Sequence, residues 1–70
     1  MNKLEVALFH VNEAIQDLEL LKQYQEDIKN YDYEDVVILY DTIPTKQAVY
    51  DNIKAARKLL NYVRKEVEML

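Results

Sequence analysis

In the last third of the chain, apolar side chains recur at Val49, Ile53, Ala56, Leu60, Val63, Val67 and Leu70, with spacings that alternate between four and three. Residues three or four apart share a helix face, so the pattern predicts a long helix with one unbroken apolar seam. The first third carries a broader stripe: Leu4, Ala7, Leu8, Val11, Ala14, Ile15, Leu18 and Leu21, with Ile28 at its far edge. That stripe predicts a second long amphipathic helix. Asn2, followed by Glu5 three residues on, has the form of a capping box and sets the start. Lys29 complements the negative end of the helix dipole, so the first helix is expected over residues 3–29.

The segment Asn30-Tyr31-Asp32-Tyr33-Glu34-Asp35 is the clearest interruption of this periodicity. Asp32 is suited to cap a short helix over 33–41, with Glu34 and Asp35 in its first turn. Val36 to Tyr40 are apolar on every side, and their valine and isoleucine content favours a strand. A lone strand has no partner in an otherwise helical chain, so a strand over 36–40 would have to pair with its copy in a dimer. The acidic start decides for a helix. Pro44 marks the second break, because proline disfavours helix in the residue before it. Thr42 or Thr45 then caps a third helix, expected over 44–69. The fold class is all-α: three helices, long, short and long, in a single domain spanning 1–70. The long helices are expected to pack as an antiparallel hairpin or as part of a dimeric, coiled-coil-like helical bundle.

Composition narrows the options. The chain has 70 residues, no cysteine and no glycine. A chain of this size buries only about 60% of its unfolded surface, so its stability needs support. Disulfides are absent, and a structural zinc is excluded in practice with His10 as the only histidine. Oligomerisation is the remaining aid, and a homodimer is expected. Without glycine, the tight turns of a multi-hairpin β fold are disfavoured. The longest apolar runs, Val36–Tyr40 and Val6–Phe9, are too short to span a membrane. With no leader-like start and no cysteine, a cytoplasmic location is expected.

The net charge of −4 is unevenly placed: residues 1–43 carry −7 and residues 44–70 carry +3. The two parts are electrostatically complementary, within one chain or between two.

Candidate chemistry is sparse. His10, Glu13 and Asp17 share a face of the first helix, but one such face gives a metal few ligands, and His10 reads as a surface residue beside the core stripe. No glycine-rich phosphate loop exists, and no carboxylate pair sits in an apolar setting that would raise its pKa. No catalytic residue, metal or cofactor is expected, and the chain reads as a non-enzyme.

Two surfaces suit a protein partner. One is the off-stripe patch of Phe9 and Leu20 with Val6 and Tyr24 beside them; the other is the tyrosine–acid stretch Tyr31, Tyr33, Glu34 and Asp35. Lys54, Arg57, Lys58, Arg64 and Lys65 form a basic face on the third helix, flanked by Tyr50 and Tyr62. Such a face can bind phosphates and stack on bases, which makes a nucleic-acid-binding regulator the alternative. The overall acidity argues against it. The expected role is a small protein-binding module, a regulator, inhibitor or adaptor acting through helical surfaces. A purely structural self-assembling helical protein is the third reading.

Overall fold

The computed structural model describes residues 1–70 as three helices: α1 Lys3–Asn30, α2 Tyr33–Leu39 and α3 Lys46–Glu68. α1 and α3 form an antiparallel hairpin. Lys3, at the start of α1, pairs with Glu66 at the end of α3, and Asp17 meets Asn52 midway. α2 packs on α1 alone.

Local chemistry sets the boundaries. Asn2 Oδ1 accepts from the Glu5 backbone N–H at 2.8 Å, and its amide donates to Glu5 Oε1 at 3.2 Å. Two of the groups that open α1 are thereby held in place. At its C-terminus the Asn30 side-chain amide donates to the Glu26 carbonyl at 3.1 Å, and the Tyr31 N–H donates to the Asp27 carbonyl at 2.9 Å.

Residues 36–39 are helical, so the strand alternative falls. Asp32 occupies the N-cap position of α2 but makes no side-chain capping bond. Its contribution, like that of Glu34 and Asp35, is negative charge at the positive end of the helix. α2 stops at Leu39, two residues short of the expected 41, because Tyr40 turns back to α1. The Tyr40 hydroxyl donates to Asp27 Oδ2 at 2.7 Å, and its ring stands edge-on to Tyr24, with centroids 5.2 Å apart. Of the two candidate threonines, Thr45 caps α3, its Oγ1 accepting from the Ala48 N–H at 3.1 Å. Pro44 therefore stays outside the helix, and α3 begins at Lys46 rather than at 44.

The core is thin. Ala7, Ala14, Val49 and Ala56 are buried where α1 faces α3, and Val36 is buried in the corner where α2 meets α1. Small residues at these positions let the two long helices approach closely. Most of the large aliphatic side chains of both stripes stay open: Leu8 is 56% exposed, Ile15 50%, Ile53 43% and Leu60 43%. The stripes are real, but only their alanine and valine edges pack within the chain. The molecule measures 56 × 19 × 13 Å, and its Cα radius of gyration is 16.3 Å. A compact domain of 70 residues has a radius near 11 Å. The two long helices pack side by side and no third long helix covers them, so the hairpin is a single layer.

Candidate functional site

The site is the broad side of this single layer. On α1, Leu4, Leu8, Val11, Ile15 and Leu18 follow spacings of four and three and share one face. On α3, Ile53, Leu60 and Val67 recur every seven residues on the adjoining face. Together they form an apolar surface whose centre is a groove of about 320 Å³. Val11, Ala14, Ile15 and Leu18 line it from α1, and Val49, Ile53, Ala56 and Leu60 line it from α3. Arg57, at the groove's edge, is its one polar neighbour. The strip from Leu4 to Leu18 is about 21 Å long at 1.5 Å per residue. It ends where Lys22 and Lys46 flank the last groove between the helices.

The rims of this face carry opposite charges. Projected at about 100° per residue, Glu5 and Glu19 fall on the outer edge of α1, beyond the apolar residues, and Glu26 projects in line with Leu8. Lys46, Arg57 and Arg64 fall on the outer edge of α3 by the same projection. All six are exposed. The sequence showed the charge asymmetry between the two parts of the chain. The hairpin turns it into an acidic rim and a basic rim on either side of one apolar face.

Away from the open face, polar bonds join the two long helices, and α2 packs on α1. Asn52 sits half-buried between the helices. Its amide donates to Asp17 Oδ2 at 3.0 Å and to the Ala48 carbonyl at 3.2 Å. Both are pure acceptors, so the Asn52 amide nitrogen must face them and its oxygen faces His10. His10 Nδ1 lies 2.9 Å from that oxygen and is the donor of the pair. His10 is thus a half-buried member of the α1–α3 interface rather than a surface residue, because Asn52 of α3 supplies an acceptor. No three histidine or carboxylate side chains converge to hold a metal ion.

The expected partner-binding residues lie in two places. Val6 and Tyr24 are half-buried, whereas Phe9 and Leu20 are exposed on the back of α1, away from the open face. Tyr31, Tyr33, Glu34 and Asp35 are exposed around the start of α2, on the same side as the Tyr24–Tyr40 contact. The structure does not join Phe9 to this stretch in one cleft. Asp27 holds the Tyr40 phenol, and this bond, with burial second, pushes its pKa up to about 12. Burial raises the Tyr24 phenol as well, reinforced by neighbouring Tyr33. Both shifts keep the phenols neutral, and the two rings meet where α2 returns to α1.

Lys54, Arg57, Lys58, Arg64 and Lys65 are all exposed along α3. They span about a third of the helix circumference by projection. Arg57 borders the apolar groove, and Arg64 lies 3.6 Å from Glu68 one turn on. Lys54, Lys58 and Lys65 point away from the groove by helical projection. The open apolar face is not among the surfaces expected to bind a partner; its residues belong to the two stripes that predict the long helices. No family model, curated protein or solved structure matches the chain. No helix is long and apolar enough to cross a membrane.

Proposed function

We propose that the chain is a small, non-enzymatic protein-binding module, of the regulator, inhibitor or adaptor type, that works through its open helical face. The observation that carries the reading is the half-exposed row Leu8, Ile15, Ile53 and Leu60 on a single-layer hairpin. An amphipathic helix must bury its apolar stripe against another element, and a stable domain usually has two packed layers. Contiguous exposed apolar surface rimmed by charge is the signature of a protein contact. Helix-in-groove docking, with anchors spaced at three and four residues, is the matching mode of recognition.

Affinity capture from source cells tests this reading. The wild type is expected to retain protein that survives nuclease treatment and is lost on Ile15→Glu. Recovery of nucleic acid alone, or of the same proteins with the variant, overturns it.

A further inference from the structure

We infer that the occupant of the open face is a second copy of this chain, stacked so that α1 of each protomer lies antiparallel on α3 of the other. The inference rests on the reading of this face as a protein-docking surface and names its partner. Three observations lead to it.

The first is area. A folded monomer of 8.4 kDa is expected to expose about 4,600 Å². This chain exposes 5886 Å². The excess, about 1,300 Å², is more than the roughly 800 Å² that each partner contributes to a standard stable interface. A copy of the same hairpin is flat, of equal length, and apolar on the matching side.

The second is register. Lys3 lies level with Glu66 and Asp17 with Asn52, so Leu8 lies near the level of Leu60, and Ile15 near that of Ile53. A two-fold axis running along the hairpin keeps every level in place while exchanging α1 for α3. Leu8 then meets the partner's Leu60, and Ile15 meets the partner's Ile53. These two pairs give two apolar layers of a four-helix core.

The third is charge, and it selects the axis. With the axis along the hairpin, the acidic rim of α1 lies on the partner's basic rim. Glu5 comes level with the partner's Arg64, and Glu19 lies about 6 Å along the axis from the partner's Lys46, with Lys22 nearer to that level. With the axis across the hairpin, α1 would lie on its own copy. Glu5 would then approach the partner's Glu19, and the arginines of the two α3 helices would crowd each other. Like charges along an interface select against that arrangement. The chosen stacking also leaves α2 on the outside of the bundle, with Tyr31, Tyr33, Glu34 and Asp35 uncovered.

Two charge-reversed variants test the arrangement by sedimentation equilibrium. One carries Glu5→Lys and Glu19→Lys, the other Arg64→Glu and Lys46→Glu. The wild type is expected to be a dimer at micromolar concentration. Each variant alone should pair about tenfold or more weakly, since attractive rim contacts become repulsive on both edges. An equimolar mixture should recover wild-type affinity as a heterodimer, because both edges are then complementary.

A glutamate-reversed variant that pairs as tightly as the wild type overturns the proposed axis. A wild type that remains a folded monomer at high micromolar concentration overturns self-pairing altogether. Binding of an apolar fluorescent dye then separates the two ideas. A monomer that binds the dye still has an open docking face for a foreign protein, whereas one that does not has lost that reading too.

Discussion

Leu60→Ala distinguishes a face that stays open from one that is covered. In the isolated hairpin Leu60 is 43% exposed. Full burial of a leucine side chain contributes about 1.5–3 kcal/mol, so a little over half of that, roughly 1–1.5 kcal/mol, is at stake within one chain. In the stacked pair the same side chain is enclosed against the partner's Leu8. Its removal then carries the usual cost of a buried leucine with its cavity, about 2–5 kcal/mol. For a domain of this size that is a large share of the total stability. Urea unfolding followed by circular dichroism at low and high protein concentration measures both regimes. The loss is expected to grow with concentration as the dimer becomes the folded species. A loss near 1 kcal/mol at every concentration would refute the reasoning, because it is what an uncovered Leu60 gives.

Asn52→Ala removes the bonds to His10, Asp17 and the Ala48 carbonyl. An expected loss of about 1.5–3 kcal/mol follows, weighted by the bond to the charged Asp17, and a melt indistinguishable from wild type contradicts it. Tyr40 is held neutral in the folded chain up to about pH 12, against an ordinary phenol near 10. Its contribution is therefore complete below pH 10 and lost as the pH rises from 10 through about 12. Ultraviolet titration should show the latest tyrosinate, that of Tyr40, moved back toward the ordinary range by Asp27→Asn; an unchanged titration refutes the assignment. Charge reversal at Arg57 and Lys58 tests nucleic-acid binding. Gel shifts with duplex and single-stranded probes are expected to show no tight binding by the wild type at physiological salt. Submicromolar, salt-sensitive binding abolished by the reversal would favour a nucleic-acid regulator instead.

The parts of the fold that were legible in the sequence are those set by near neighbours. The Asn2–Glu5 cap, the interruption at residues 30–35 and the two long apolar repeats are local patterns, and each reappears in the structure. The differences lie at the ends of α2 and α3. α2 ends early because Tyr40 reaches Asp27, a bond no periodicity reveals. α3 starts late because Thr45, rather than Thr42, provides the cap.

The site was harder to read for a related reason. A helical projection shows that a stripe is apolar, but not which edge of a wide stripe its neighbour covers. Ala7 and Ala14 mark the covered edge, because α3 approaches most closely where side chains are small. Leu4, Leu8, Val11, Ile15 and Leu18 are left facing outward as a consequence. Asn52 was a signal available beforehand: an amide one turn from both Val49 and Ala56, at the seam's edge, asks for a polar partner on the facing helix. Asp17 and His10, already seen to share a face of α1, were the residues to supply it.

Mass and shape measured together test the central claim most directly. Stacking two hairpins at the usual helix spacing of roughly 8–10 Å doubles the mass but moves the Cα radius of gyration only from 16.3 Å to about 17 Å. Light scattering combined with small-angle X-ray scattering at high micromolar concentration is expected to show that doubled mass at nearly unchanged radius. A single-chain mass under those conditions contradicts the account. So does a doubled mass with a radius of roughly 30 Å, the value for 56 Å rods joined end to end.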